Sequence, residues 1–358
     1  MINKAFQDPE LAQRLLKKIK ALNTKPVSIM EVCGTHTMAL FQHGIRSLLP
    51  SGVTLLSGPG CPVCVTSQGE MDAFMSLTEN PDIIATVFGD LLRVPGSSTS
   101  LQKERAKGCD VRVVYSPLDA VLVAQKNPDK EVVFFGVGFE TTAPAIAGAV
   151  LMAKANGIKN FTVLAALKRV MPALFALMDD PDTRIDGFLC PGHVSVILGA
   201  DAYKPVAEKT KAPCVIAGFE PLDMLQGVYM ILCQIKKSVA YVENSYGRAV
   251  SSEGNEEARK IIDMVFEKND AVWRGLGPIP LSGFTFRQSF SFFDARKRHD
   301  LKEFDAPEPP GCKCGDILKG IMQPDKCPLY KSHCTPEHPI GPCMVSSEGA
   351  CAAHYKYR

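Results

Sequence analysis

From about residue 27 to residue 236, the chain alternates short apolar runs with helix-length amphipathic stretches. Most runs are rich in β-branched or aromatic residues, and several end in a loop that contains glycine or proline. Strands that alternate with helices predict βαβ units and mostly parallel sheets covered on both faces. The sequence is therefore predicted to have an α/β fold, with strands near 27–32, 53–56, 83–88, 111–115, 132–135, 161–165, 187–189 and 214–217.

The loops after these runs indicate a distant duplication. The tripeptide Gly-Phe-Glu occurs at 138–140 and again at 218–220, each time just after a predicted strand. We therefore expect two related parallel-sheet α/β domains, covering 27–129 and 130–238. The division would fall at the polar, proline-containing connector 127–130.

The two ends of the chain differ from this middle part. Residues 1–26 predict an amphipathic helix, with Asp8 as its N-cap and Pro9 at its first position. Residues 239–358 predict a smaller C-terminal domain rich in helix and loop, with one helix over 256–268 and a Gly/Pro-rich stretch at 274–283. From residue 307 onward the chain has eight prolines and six cysteines but few apolar residues. Such a segment cannot build a large core alone.

The role expected for the thirteen cysteines depends on the cellular compartment of the protein. The N-terminal sequence has no apolar signal region, and no stretch approaches the length of a membrane helix. We therefore expect a cytoplasmic protein, in which stable disulfides are rare and cysteines serve metal or redox chemistry. A net charge of +2 predicts neither nucleic acid nor membrane as a partner.

Six cysteines lie within the last 47 residues, and four of them are separated by long gaps of 14, 6 and 16 residues. These four are Cys312, Cys327, Cys334 and Cys351. Scattered thiolates on loops favour a [4Fe–4S] cluster. A zinc site, with His333, His338 or His354 as further ligands, and disulfides or free thiols are the alternatives.

Two cysteine motifs near the N-terminus follow predicted strands. Cys33 stands where a helix begins, and a helix N-terminus is expected to lower the pKa of its thiol. His36 is either a second ligand or proton carrier, or a structural histidine. Cys61 and Cys64 form a C-P-V-C motif, whose spacing is that of a redox dithiol. The flanking Gly58 and Gly60 are expected to leave the sulfurs reachable.

Cys190 also follows a predicted strand, so its loop and the Cys33 loop are expected to face one cleft. By contrast, Cys109, Cys214 and Cys233 lie within or beside apolar runs and are expected to be core residues.

Five motifs occur in order along the chain: CGTHT at 33–37, GPGCPVC at 58–64, GFETT at 138–142, CPGH at 190–193 and the tail MVSSEGACAAHYKYR. Together they closely resemble the HypD family of [NiFe]-hydrogenase maturation factors, over essentially the whole length. The resemblance implies two related α/β domains and a third domain that binds a [4Fe–4S] cluster. The family pattern places the cluster on Cys312, Cys327, Cys334 and Cys351, although Cys314 or Cys343 could replace one of them.

The resemblance also implies a redox-active scaffold for assembly of the Fe(CN)2(CO) centre, rather than a free-standing turnover enzyme. Cys33, with His36 nearby, would hold the iron together with a HypC-type small chaperone. A HypE-type protein would donate cyanide, Cys61 and Cys64 would supply electrons, and the hydrogenase large subunit would be the indirect recipient. The same cleft would be lined by Glu140, Thr141, Thr142, Cys190 and His193.

Two other functions remain open from the sequence. One is a stand-alone iron–sulfur thiol/disulfide oxidoreductase, and the other is a zinc-stapled interaction protein. Partner-dependent assembly favours a monomer that docks other proteins.

Overall fold

A computed structural model of the chain describes residues 6–22, 25–301 and 306–358. No helix in these ranges is long and apolar enough to cross a membrane. The strands of the described residues are β1 (Val27–Glu31), β2 (Val53–Ser57), β3 (Ile83–Val87), β4 (Val111–Val113), β5 (Glu131–Gly138), β6 (Phe161–Leu167), β7 (Gly187–Pro191), β8 (Cys214–Ala217), β9 (Val242–Asn244), β10 (Phe266–Trp273) and β11 (Gly277–Phe286).

Two parallel sheets and one antiparallel hairpin contain these strands. The first sheet has the order β2-β1-β7-β8-β9, and the second has the order β4-β3-β5-β6. Strands β10 and β11 pair only with each other. The predicted α/β class with parallel sheets is therefore confirmed, and every predicted apolar run contains a strand.

The chain order of the two sheets differs from the predicted division into 27–129 and 130–238. Strand β3 pairs with β5 across the predicted boundary, with Ile83 opposite Glu131. Strand β1 pairs with β7, with Ile29 opposite Gly187. The first sheet is thus built from both ends of the region and the second sheet from its middle. The boundary at 127–130 is wrong because the polar connector there is only the loop between the helix Pro117–Lys126 and β5, within one sheet.

Helices cover the sheets, as parallel strands require. They are α1 (Pro9–Ala21), α2 (Gly34–Gln42), α3 (Ile45–Leu48), α4 (Pro62–Val65), α5 (Gln68–Leu77), α6 (Leu101–Ala106), α7 (Pro117–Lys126), α8 (Ala143–Ala155), α9 (Val170–Asp179), α10 (Gly192–Leu198), α11 (Lys204–Thr210), α12 (Pro221–Lys236), α13 (Glu256–Val265), α14 (Ala295–Arg298), α15 (Cys314–Leu318) and α16 (Ala350–Tyr357). Short 3-10 turns lie at Gly89–Arg93, Ala200–Tyr203, Gln288–Phe293, Pro324–Lys326 and Pro342–Met344.

The N-terminal helix α1 has the predicted N-cap residue and a buried apolar face. Asp8 accepts hydrogen bonds from the N–H groups of Glu10 and Leu11, which caps α1 as predicted. Leu15 and Ile19 are buried in the apolar layer that α1 shares with α12. The helix therefore covers the first sheet.

The C-terminal third differs from its prediction in one respect. The helix predicted over 256–268 ends at Val265, and the following residues form the long β10–β11 hairpin. Exposed residues alternate with half-buried ones in the middle of β10 (Phe266–Trp273), which is typical of a strand with one face covered. After residue 306, short helices and turns pack around the cysteines.

The strand order predicts that the region 1–129 cannot fold alone. A fragment ending at residue 129 would keep β3 and β4 without β5 and β6, and β1 and β2 without β7. We expect no cooperative urea unfolding from this fragment, because its strands lack their partners and expose apolar faces. The full chain, which retains every strand, is the control; a cooperative transition of the fragment would contradict the interlocked sheet order.

Candidate functional site

The pairing of β1 with β2 brings two cysteine motifs to one sheet edge. These parallel strands run in register from Val27 opposite Val53 to Glu31 opposite Ser57. The Gly34 N–H donates to the Gly60 carbonyl at 3.0 Å, beyond the strand ends. A Cβ atom on Gly60 would collide with the backbone of Cys33. The loop that bears Cys33 and the loop that bears the C-P-V-C motif are therefore in direct contact.

Glu31, at the end of β1, has a buried carboxylate that contacts both β2 and helix α2. Its Oε1 accepts hydrogen bonds from Arg46 at 2.6 Å, Ser57 at 2.7 Å and Thr37 at 3.1 Å. Burial raises the pKa of Glu31, and the charge of Arg46 opposes that effect. Since Thr37 lies in α2 and Ser57 ends β2, the Glu31 side chain connects the ends of β1 and β2 with helix α2.

The Cys33 thiol is buried rather than activated. It is only 7% exposed, at the N-cap of α2. Burial raises its pKa to about 11, and the backbone amides of His36 and Thr35 offset this only in part. The predicted lowering of the Cys33 pKa is wrong because desolvation of the thiolate outweighs the helix N-terminus.

His36 is held through one ring nitrogen and left open at the other. Its Nε2–H faces the carbonyls of Gly218 at 2.9 Å and Ala217 at 3.2 Å. Its Nδ1 is buried and has no hydrogen-bond partner among the described residues. Burial lowers its pKa to about 4, so the ring is neutral at physiological pH. The free Nδ1 lone pair can therefore accept a metal ion or a proton.

Cys61 and Cys64 are joined as a disulfide, with Cα atoms 5.2 Å apart. The Cys64 N–H also donates to Cys61 Sγ at 3.2 Å. Cys61 is 3% exposed and Cys64 is fully buried, so the expectation of reachable sulfurs is wrong. The flanking glycines serve close packing instead: a Cβ on Gly58 would meet the Met30 sulfur at 2.7 Å.

All six C-terminal cysteines line one small cavity of about 20 Å³. We call it the cysteine cage: Cys312, Cys314, Cys327, Cys334, Cys343 and Cys351. Burial raises the pKa of Cys312 to about 12. A hydrogen bond to the Cys314 thiol, together with burial, holds the pKa of Cys343 well above its usual range. The Cys314 and Cys343 thiols thus contact each other within the cage.

The histidines suggested for a zinc site do not line the cage. His333 and His338 are exposed, and His354 Nδ1 lies 2.9 Å from the Tyr330 hydroxyl. Among the described residues, no three His, Cys, Asp or Glu side chains converge as ligands of a single metal ion.

Glu348 is a site residue that the sequence reasoning missed. Its Oε1 accepts a hydrogen bond from Thr35 Oγ1 at 2.7 Å, and its side chain packs against Gly34. Helix α16, which carries Cys351, begins two residues later and packs along α2. The segment after Cys343 thus connects the cysteine cage to the Cys33 turn. Contacts between residues 313 positions apart leave no signal in one sequence.

The predicted cleft residues are only partly brought together. The exposed His193 ring stacks on Phe219 at 4.1 Å, and the same Phe219 ring lies 4.9 Å from His36. The β7 loop therefore meets the β1 loop, as expected. The Cys190 thiol does not, because it is buried in β7 and donates a hydrogen bond to the Phe188 carbonyl at 3.8 Å.

The GFETT residues have mixed environments. Glu140 is buried, and it accepts a hydrogen bond from the Val170 N–H at 3.0 Å at the start of α9. Thr141 is exposed, and Thr142 is the N-cap residue of α8. The preceding Phe139 belongs to the apolar cluster that contains Cys61 and Cys64, so this loop lies on the side of the disulfide.

These features define a class of thiol-rich α/β proteins, with a buried CxxC disulfide, a neighbouring Cys–His pair and a six-cysteine cage. The family model HypD, described as the hydrogenase formation hypA family, matches residues 10–358. The chain is 46% identical to hydrogenase maturation factor HypD2 of Bradyrhizobium diazoefficiens, over 98% of this chain and 95% of that protein. It is 43% identical to hydrogenase maturation factor HypD of Escherichia coli, over 99% and 97% of the two chains. The chain belongs to the HypD family of hydrogenase maturation factors.

Glu140 predicts a pH dependence of stability. Burial raises its pKa from 4.5 to about 7, so the folded state retains a proton that the unfolded state loses. Its stabilising contribution is complete below the unfolded pKa and is lost as the pH rises through the folded pKa. We expect the free energy of unfolding to fall by roughly 3 kcal/mol across this window, from about 1.36 kcal/mol per pKa unit.

Urea unfolding of the wild type and of Glu140→Gln between about pH 5 and about pH 8 measures this effect. The Glu140→Gln variant has no ionisable group at this position. Its free energy of unfolding should therefore lack this part of the pH dependence. Glu337→Gln, which changes an exposed carboxylate, should follow the wild type. Equal slopes for all three proteins would contradict the assignment.

Proposed function

We propose that this chain is a redox-active scaffold on which the Fe(CN)2(CO) centre of [NiFe] hydrogenase is assembled, in the cytoplasm. One observation carries the proposal: Cys33, the free Nδ1 of His36 and the Cys61–Cys64 disulfide share one sheet edge. A soft metal anchor and a two-electron couple thus lie in touching loops. The resemblance to characterised HypD proteins supplies the cargo and the partners.

The cargo iron would be held by Cys33 together with the N-terminal cysteine of a HypC-type chaperone. Thiolate is a soft ligand that suits iron, and metal binding displaces the proton that burial keeps on Cys33. His36 Nδ1 offers a neutral imidazole ligand whose orientation is set by the bonds from Nε2 to the Gly218 and Ala217 carbonyls.

Cyanide would arrive from a HypE-type partner on an S-cyanated sulfur. Reduced Cys61 and Cys64 supply two electrons and release two protons as their S–S bond forms. The S–CN bond of the donor breaks, cyanide passes to the iron and the donor sulfur leaves as a thiolate. The Cys61–Cys64 disulfide would be the oxidised product of this step. The exposed His193, stacked on Phe219 beside His36, lies where a docked partner would reach the iron.

The cysteine cage fits a [4Fe–4S] cluster. Ligands of one zinc ion must converge within about 2.3 Å of a point, whereas no three cage side chains among the described residues converge in this way. Cys312, Cys327, Cys334 and Cys351 would hold the cluster, as the family resemblance implies, and all four line the cage. When bound, a cluster supplies electrons one at a time.

The buried sulfurs of Cys61 and Cys64 argue against a stand-alone oxidoreductase. Disulfide exchange needs access to a sulfur atom, and catalytic thiols are normally partly exposed. Burial of both sulfurs fits a redox couple that acts only when a partner protein opens or completes the site.

If Cys33 anchors the cargo iron, its removal should lower the cargo iron and leave the cluster iron unchanged. Cys33→Ala should reduce the cargo iron that co-purifies with a HypC-type partner at least about tenfold, because even a ligand's hydrogen-bond partner is worth 10–100-fold in metal affinity. Iron and sulfide in the cage should stay unchanged. Infrared bands of the CN and CO ligands report the cargo, and visible absorption reports the cluster. Cys233→Ala is the matched control; full cargo loading of Cys33→Ala would refute the role.

The ligand assignment predicts two groups of cage variants. Single Cys→Ala changes at 312, 327, 334 or 351 should each lower the iron and sulfide content, because each removes a thiolate ligand. The same change at 314 or 343 should preserve the cluster, which makes these two the internal controls. One equivalent of zinc with no sulfide in anaerobically purified protein would contradict the cluster itself, while cluster loss at 314 or 343 would contradict only the assignment.

A further inference from the structure

The turn of the β10–β11 hairpin, residues 273–277, contacts the C-P-V-C helix. Trp273 forms an isolated antiparallel bridge with Thr66, just after α4 (Pro62–Val65). The Arg274 N–H donates to the Val65 carbonyl at 2.9 Å. The Trp273 ring is fully packed in the apolar cluster that also contains Cys61 and Cys64. The turn is therefore fixed directly against the disulfide-bearing segment.

The other side of this turn rests on the cysteine cage. Gly275 has a φ of +77°, and a Cβ on Gly315 would lie 2.8 Å from its Cα atom. Gly315 follows Cys314 at the start of α15. The two backbones can approach this closely only because both residues are glycines. The hairpin turn thus lies between the disulfide and the cage, and its position is set from both sides.

The Arg274 side chain places a buried guanidinium at the turn of the β10–β11 hairpin. The residue is 3% exposed. Its Nε donates to the Thr66 carbonyl at 3.0 Å, and its Nη2 donates to Gln68 Oε1 at 3.0 Å. Both acceptors are neutral. Among the described residues, no carboxylate oxygen lies within 4 Å of the Arg274 nitrogens.

The nearby carboxylates are engaged elsewhere. Asp72 accepts hydrogen bonds from Ser97 and reaches Arg274 only through the Gln68 amide, which lies 3.4 Å away. Glu70 is paired with Lys168 at 2.7 Å, and Glu308 accepts from the Gly275 N–H at 2.6 Å. A buried cation without a close counter-charge is costly. The Arg274 guanidinium bonds to Thr66 and Gln68, which follow Cys64 by two and four residues, so its charge lies near the segment in which reduction of the disulfide would create a thiolate.

We propose that Arg274 is a positioning and charge-supplying residue for the Cys61–Cys64 couple, which favours the reduced form by stabilising its thiolate. This inference rests on the proposed redox role of that pair. Reduction breaks the S–S bond, takes up two electrons from a dithiol reductant and binds one proton. The product is one thiol and one thiolate. The fixed positive charge of Arg274 interacts with the thiolate and has no equivalent interaction with the neutral disulfide.

The test is a redox titration of the full-length, anaerobically purified protein against mixtures of reduced and oxidised dithiothreitol. Trypsin releases residues 47–93 as a peptide in which Cys61 and Cys64 are the only cysteines. Differential alkylation and mass spectrometry of this peptide therefore report the couple without interference from the cage. For Arg274→Gln we expect the reduction equilibrium constant to fall about tenfold, equivalent to a potential about 30 mV more negative.

Two further variants distinguish charge from structure. Arg287→Gln removes a positive charge from an exposed end of the same hairpin and should leave the potential unchanged. Arg274→Lys keeps the charge and should stay near the wild-type potential even if its melting temperature falls. A wild-type potential in Arg274→Gln, or equal shifts in Arg274→Gln and Arg274→Lys, would overturn the inference. Failure of the wild-type disulfide to titrate at all would instead overturn the redox role of the pair, and the inference with it.

Discussion

The parallel pairing of β1 with β2 on one side and β7 on the other is the constraint on which the site depends. It places three strand-to-helix loops at one sheet edge, and each loop brings a different group. Cys33 and His36 follow β1, the disulfide follows β2, and His193 follows β7. Because the strands are parallel, all three loops leave the sheet at the same edge. The fold itself therefore brings their side chains close together. The close contact of Gly60 with the Cys33 backbone then fixes the separation of the first two loops.

Burial is the second constraint, and it gives the site a resting state that is chemically quiet. The Cys33 thiol, the Cys61–Cys64 sulfurs and the His36 ring are all removed from water. Desolvation disfavours the charged form of each group, which keeps the thiol protonated and the imidazole neutral. In the proposed function, a cargo metal would therefore supply the charge that stabilises a Cys33 thiolate. Such a site binds its ligand in place of protons, and free thiolate chemistry with other molecules is suppressed.

Much of this arrangement can be predicted from sequence because it rests on local pattern. Apolar runs located eight of the nine strands in the two parallel sheets, and the C-P-V-C spacing located the disulfide. The short strand β9 was missed because its three residues are only half-buried. Strand order could not be predicted, because whether β3 pairs with β2 or with β5 depends on contacts that no local pattern encodes. The Cys33 pKa was predicted with the wrong sign for a related reason. Helix position is visible in sequence, whereas the depth of burial at a strand end depends on what the C-terminal segment covers. Glu348 was missed because its role exists only through Thr35.

The C-terminal third then acts as more than a cage for its own cysteines. It touches the site at two places that are far apart in sequence: the hairpin turn at Arg274 packs on the disulfide segment, and the Glu348 segment packs on the Cys33 turn. Both contacts lead directly to cage cysteines, through Gly315 beside Cys314 and through α16 with Cys351. A segment with too little apolar surface to fold alone is thereby ordered by the sheets, and in return it buries their carboxyl edge. Folding of the cage and completion of the site are consequently one event, since neither set of groups is enclosed without the other.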